Sequence, residues 1–179
     1  KYKKERGDAK AVNFGLAYGI GAYGLSLQIG CSEEQANNII KDYFNKYKFI
    51  KKAIDETHSE VKNQGYVINI FGRKRRFKKT NNKFYTGGDL RQSFNFKIQG
   101  SSADMIRKAS INCYLLSKKH PEWDLKMIMT VHDEVVFKVK EDYVNIASEA
   151  VKKAFESAVQ LCVPLISDIE IGDNYGNAK

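Results

Sequence analysis

The run LKMIMTVHDEVVFKV, Leu125 to Val139, does most to limit what this chain can become. Two stretches rich in β-branched and large apolar residues meet at His132-Asp133, which predicts two strands joined by a tight turn. Around that hairpin the periodicity is mainly helical. Asp8 to about Gly19 reads as a helix, and a short one follows to Gln28. Ser32-Glu33-Glu34-Gln35 has the form of a capping box, opening a helix through Ile39, Ile40, Tyr43 and Phe44. The next helix, through Ile50, Ile54 and Val61, ends at Gly65. YVINIFGRKRRF reads as a strand, a turn at Gly72 and a basic returning strand, and Lys78 to Gly88 as a loop. Asp89 to about His120 is helical with a break at Gly100-Ser101-Ser102, and Pro121 closes it. Val144, Ala147, Val151, Ala154, Phe155 and Ala158 form a further helical stripe, and ISDIEI is a final strand. Helices and hairpins in separate stretches make this an α+β chain.

With 179 residues, 42% of them hydrophobic, the chain can bury one substantial core or two small ones sharing a sheet. Lysine and arginine number 30 against 21 acids, a formal charge of +9 that favours a polyanionic partner such as nucleic acid. Cys31, Cys113 and Cys162 are an odd count in no metal-ligand spacing, which implies free thiols in a reducing, intracellular compartment and no zinc site. No apolar run approaches the roughly 18 residues of a membrane span, and no apolar signal core follows the lysine-rich start. A membrane partner is therefore not expected. The chain begins with Lys1 and reaches an interpretable motif within a few residues, so the expectation is a piece of something longer.

In RGDAKAVNFGLAYGIGAYG, Arg6 to Gly24, two signatures overlap at Gly19. Gly19, Gly21 and Gly24 satisfy GxGxxG, but a dinucleotide turn needs a buried strand before it and an acid closing a second strand. What precedes it is polar and helical, and Asp42 lies inside an amphipathic helix. The other signature is Arg6, Lys10, Phe14 and Tyr18, spaced by four and so drifting slowly around one helical face. Cations near the first helical turn, aided by the helix dipole, suit a triphosphate, and aromatics further along suit a sugar or base. The same spacing also suits two core aromatics behind a solvated helix start. Gly15 and Gly19 each cost about 1 kcal/mol in a helix, so close approach of a ligand or strand is expected beside them.

The pattern Arg6-x3-Lys10-x3-Phe14-x3-Tyr18-Gly19 resembles motif B, the fingers-helix signature of family A DNA polymerases. VHDE at Val131 to Glu134 looks like that family's motif C, and FNFKIQGSSAD around Asn95 and Gln99 resembles the segment between them. The motifs stand in the family's order across essentially the whole chain. The resemblance implies a right-hand architecture: residues 1–65 a helical fingers portion, 66–91 a connecting hairpin and loop, and 92–179 part of a palm with an antiparallel sheet. It implies that Arg6 and Lys10 hold the incoming deoxynucleoside triphosphate, with Lys10 also a proton donor to the leaving pyrophosphate. Phe14 would pack on the sugar, Tyr18 would stand where the templating base enters, and Gly19 would let the chain turn away.

By the same resemblance Asp133 is a magnesium ligand, Glu134 a nearby, less critical acid, and His132 a contact near the primer terminus. Two magnesium ions require a second aspartate, from a motif A segment that none of these residues supplies, so an upstream part of the same polymerase is an expected partner. Arg91, Asn95 and Gln99 repeat the spacing of four. Guanidinium and amide donors can meet the purine N3 and pyrimidine O2 acceptors that every base pair presents in the minor groove of primer-template DNA. Arg73 to Arg76 carry no assigned role. A non-catalytic basic module that binds nucleic acid would explain the charge and aromatics but not a hairpin ending in HDE. A dinucleotide oxidoreductase would explain only the glycines.

Overall fold

The computed structural model describes residues 2–79 and 85–178. Of the loop expected over Lys78 to Gly88, residues 80–84 therefore lie outside the described residues. The chain forms two compact units, Lys1–Ser101 and Ser102–Lys179, with a separate two-stranded sheet in each.

The first unit opens with four helices: α1 (Lys3–Ala17), α2 (Ala22–Ile29), α3 (Glu33–Lys46) and α4 (Lys48–Gln64). The helix expected from Asp8 starts five residues earlier, at Lys3. The capping box forms in full: Gln35 N donates to Ser32 Oγ at 3.1 Å and Ser32 N donates to Gln35 Oε1 at 3.0 Å, satisfying two otherwise unpaired N–H groups. Leu16, Leu25 and Ala36 make a buried cluster that Ile20, Ile39, Ile40, Tyr43 and Phe44 surround. Tyr43 Oη also donates to Asn13 Oδ1 at 2.8 Å, tying α3 to α1.

After α4 the chain turns at left-handed Gly65 into the antiparallel strands β1 (Tyr66–Ile68) and β2 (Lys74–Arg76), as the sequence predicts. Helix α5 (Gly87–Asn95) follows, then a π-helical turn over Phe96–Gly100. No break occurs at Gly100-Ser101-Ser102; the helix widens there and continues as α6 (Ser101–Lys119). Val61, Val67 and Phe96 form this region's buried cluster, with Phe77, Tyr85 and Leu90 against it.

In the second unit a short 3-10 turn (Pro121–Trp123) leads to β3 (Lys126–Val131) and β4 (Glu134–Lys138), then a second 3-10 turn and α7 (Val144–Glu156). Trp123, Leu125 and Ala147 form its core. The His120 ring stacks on Trp123 with centroids 4.0 Å apart, and Asn112 Nδ2 donates to the Ala154 carbonyl at 3.2 Å. The strand expected at ISDIEI does not form. The segment is irregular, with Ile166 73% exposed. Strand propensity makes no ladder without a partner's N–H and C=O groups, and none of the described residues provides one.

Cys113 on α6 is buried, and burial pushes its thiol from the usual 9.0 up to about 11. Folding thus favours the neutral thiol. That stabilisation is present in full below pH 9.0 and is lost as pH rises through the folded value of about 11. Denaturation curves across this window should show stability falling more steeply in the wild type than in Cys113→Ala. Parallel declines would exclude Cys113 as a source.

Candidate functional site

Arg6, Lys10 and Phe14 are exposed on α1, and Tyr18 lies just past its end, half-buried. The Lys10 ammonium sits 5.8 Å from the Phe14 ring centroid, and the Phe14 and Tyr18 rings are 6.3 Å apart. At 50% exposure Phe14 is no core residue, so the reading that buries both aromatics fails there. A cleft of about 250 Å³ opens on this face, lined by Gly7, Lys10, Ala11, Phe14, Gly15 and Gln28. The early start of α1 changes the electrostatics. Arg6 N already donates to Tyr2 O at 3.0 Å, and Lys10 stands two turns in, where the dipole of the helix end has faded. The attraction for an anion here comes from the side-chain charges themselves.

The close approaches expected beside the glycines are made by side chains of this chain. A Cβ at Gly15 would lie 2.9 Å from Ile20 Cγ2, so Gly15 makes room for Ile20. Gly19 has φ +80, and a Cβ there would lie 2.7 Å from Arg91 Cγ. The turn after Tyr18 thus brings Arg91 of α5 against the end of α1, a pairing that sequence spacing did not predict.

Asn95 ends α5, half-buried, with its Oδ1 buried and lacking a hydrogen-bond partner; Gln99 is exposed within the π-helical turn. The wider turn rotates Gln99 away from its α-helical position, so the spacing of four is not a straight α-helical row here. The basic strand that carried no assignment takes part in the same region. Arg75 donates to Gln92 Oε1, and Arg73 Nη2 donates to the Gly100 carbonyl at 3.2 Å. Both guanidinium groups lie over the Phe96 ring, at 5.1 Å for Arg73 and 5.9 Å for Arg75.

In the second unit Val131 pairs with Glu134, leaving His132-Asp133 as a two-residue turn with both side chains exposed. His132 has φ 55, a left-handed conformation that costs a non-glycine residue about 1–2 kcal/mol and that often marks a functional turn. A bulge between Met127 and Met129 twists β3 next to it. Glu134 accepts a hydrogen bond from Tyr175 Oη at 3.2 Å, and this carboxylate holds the Tyr175 hydroxyl above its usual pKa. No local signal points from Tyr175 to Glu134, 41 residues away.

Asp133 and Glu134 offer the hard oxygen atoms that magnesium takes. Among the described residues no group of three or more His, Cys, Asp or Glu side chains could hold an ion. The donor set suits the metal in kind and is short in number.

The model of DNA polymerase family A matches residues 2–177. Over 176 residues the chain is 38% identical to the DNA polymerase I of Caldicellulosiruptor bescii, covering 97% of this chain and 21% of that protein. Over 179 residues it is 37% identical to the DNA polymerase I of Streptococcus pneumoniae serotype 4, covering 98% and 20%. A solved structure of the POL domain of Pol1 from M. smegmatis, in complex with DNA primer-template and dNTP, aligns with a TM-score of 0.86 at 28% identity. It covers 96% of this chain and 30% of that one. The chain belongs to DNA polymerase family A. It spans about a fifth of the length of the curated relatives it matches.

Proposed function

We propose that this chain supplies the nucleotide-binding helix, the base-pair inspection segment and one carboxylate cluster of an enzyme that extends a DNA primer on a template. The observation that carries the reading is the α1 face, where Lys10 and the exposed Phe14 line a cleft open to a ligand. The solved relative's complex with primer-template and dNTP supports the choice of ligand.

In this reading Arg6 and Lys10 bind the triphosphate, Phe14 packs on the sugar, and Tyr18 with Gly19 borders the templating base. The primer 3′ hydroxyl loses its proton to solvent as its oxygen bonds to the α-phosphorus, the bond from that phosphorus to the α–β bridging oxygen breaks, and Lys10 gives the departing pyrophosphate a proton. Asp133, with Glu134 beside it, would hold magnesium, whose chemistry is to make the primer hydroxyl a better nucleophile and to neutralise charge on the leaving group. His132 contacts the primer end. Arg91, Asn95 and Gln99 face the minor groove, where the guanidinium and the amide N–H groups would donate to base-pair acceptors.

Residues 1–65 act as fingers, 66–91 as a connector and 92–179 as palm. The remaining carboxylate for the two-metal centre comes from polymerase residues outside these 179. Ile111, Tyr114 and Leu115 on α6 and Met127, Ile128 and Met129 on β3 are exposed, apolar surface that further chain would cover.

Titrating the chain with a deoxynucleoside triphosphate, a primer-template and a nicotinamide cofactor, each with and without magnesium, tests the class. Salt-sensitive binding of the first two supports the proposal. Binding of DNA without any triphosphate affinity favours a non-catalytic module, and nicotinamide binding favours an oxidoreductase. In the complete polymerase, Lys10→Ala should lower kcat/KM about ten- to a hundredfold for all four nucleotides alike, because a charged phosphate contact is lost. A defect confined to one base would contradict the role.

A further inference from the structure

The turn between β1 and β2 reaches across to the π-helical turn and grips it at one carbonyl. Asn69 Nδ2 donates to Gly100 O at 3.1 Å and Arg73 Nη2 donates to the same oxygen at 3.2 Å. The backbone N–H of Ile70 donates to Ser101 Oγ at 3.3 Å, and that hydroxyl in turn donates to the Lys97 carbonyl. Asn69 is 5% exposed, and its own turn locks it: its Oδ1 accepts from Phe71 N at 3.0 Å and from Arg73 N at 2.9 Å. From α4, Glu60 Oε1 accepts from Lys97 Nζ at 2.6 Å. Gly100 leaves no space for a side chain, since a Cβ there would lie 2.9 Å from the Phe96 ring, over which the Arg73 guanidinium stacks at 5.1 Å.

A π-helical turn is rarer than an α-helical one and persists where surrounding contacts hold it. Here donors 31 and 27 residues away in sequence converge on the carbonyl next to Gln99. Gln99 itself remains exposed. We propose that Asn69 and Arg73 are positioning residues that hold the wide turn at Phe96–Gly100 and thereby aim Gln99 at the terminal base pair. This rests on the reading that Gln99 contacts the minor groove. Without the clamp the turn relaxes toward α-helical spacing and Gln99 rotates off its target.

Asn69→Asp separates the clamp from the turn that carries it. The carboxylate can still accept from Phe71 N and Arg73 N but has no donor for Gly100 O. In the full-length polymerase carrying this segment, two quantities are compared for wild type, Asn69→Asp, Arg73→Lys, Gln99→Ala and the Asn69→Asp/Gln99→Ala double variant. One is hydrogen exchange of the amides from Lys97 to Asp104. The other is the ratio of extension from matched to mismatched primer ends, with nucleotide KM recorded alongside.

The expected result is faster exchange at these amides in Asn69→Asp, with α4 unchanged. The matched-to-mismatched ratio should fall about tenfold, as for Gln99→Ala, with nucleotide KM nearly constant. The double variant should be no worse than Gln99→Ala alone, because both changes remove one contact. Arg73→Lys, which keeps the charge and one donor, should retain part of the ratio. If Gln99→Ala lowers the ratio while Asn69→Asp alters neither quantity, the clamp is overturned and the minor-groove role of Gln99 stands. Full additivity in the double variant overturns it too. If Gln99→Ala leaves the ratio unchanged, the reading of Gln99 falls and takes the proposal with it.

Discussion

Asp133→Ala, made in a polymerase that carries this segment, should lower primer extension about a thousandfold, while binding of primer-template changes little. A metal-binding carboxylate contributes several kcal/mol of charge stabilisation to phosphoryl transfer, and each ~1.4 kcal/mol is a factor of ten in rate. The exposed tip of the β3–β4 hairpin explains why binding should survive: truncating Asp133 opens no cavity and breaks no packing. Glu134→Ala should cost much less. Glu134 begins β4 and already accepts a hydrogen bond from Tyr175, so its oxygens are partly engaged. Single-turnover extension with both variants measures the ranking, and a larger loss for Glu134→Ala would exchange their roles. The 179-residue chain alone should extend no primer, since among the described residues no cluster of carboxylates suffices for two octahedral ions. Adding the upstream polymerase portion, in cis or as a separate chain, should restore extension that depends on Asp133. If the purified chain extends a primer by itself, and Asp133→Ala stops it, a second carboxylate must be sought within these residues, with Glu134 the first candidate.

Gly19→Ala should destabilise the chain by about 2–5 kcal/mol. The left-handed backbone at φ +80 costs an L-residue about 1–2 kcal/mol. Displacing Arg91, whose Cγ and Cδ would lie 2.7 and 2.9 Å from the new methyl, adds about 1–3 kcal/mol of overpacking. The two contributions can be separated. In Gly19→Ala/Arg91→Ala the clash disappears, because the Cβ of residue 91 is 3.7 Å away and in ordinary contact, while the backbone strain remains. Urea denaturation should therefore show the double variant losing less stability than the two single losses summed. Strict additivity would remove Arg91 as the reason for glycine at this position.

The sequence was most legible where a feature depends on residues a few positions apart. The Ser32–Gln35 capping box, the stop at Gly65, and the β1–β2 and β3–β4 hairpins all rest on local dihedral preference and local hydrogen bonds, and all formed. The motif residues were legible as a set, since helical spacing placed Arg6, Lys10 and Phe14 on one helical face, and the structure decided that this face is exposed. Signals failed where the deciding partner is distant. Ser-Ser after glycine predicted a helix break at Gly100, but Asn69 and Arg73 bond that carbonyl and the helix continues through a wide turn. ISDIEI has every local mark of a strand and lacks a neighbour to pair with. Arg73 and Arg75 carried no assigned role in the sequence; the structure engages both with Phe96 and with helix acceptors.

The sequence by itself therefore determined the order of helices and hairpins, the family, and which side chains stand as candidates for phosphate, base-pair and metal contact. Each of these follows from short-range periodicity or from a motif a few residues long. Only the tertiary structure decided that Gly15 accommodates Ile20, that Gly19 accommodates Arg91, and that the segment around Gln99 is held as a π-helical turn. Those outcomes depend on steric fit and hydrogen bonds between residues that are tens of positions apart in most cases. Local preference carries no information about such meetings, because a backbone carbonyl or an open space beside a glycine acquires its partner only when the chain has folded.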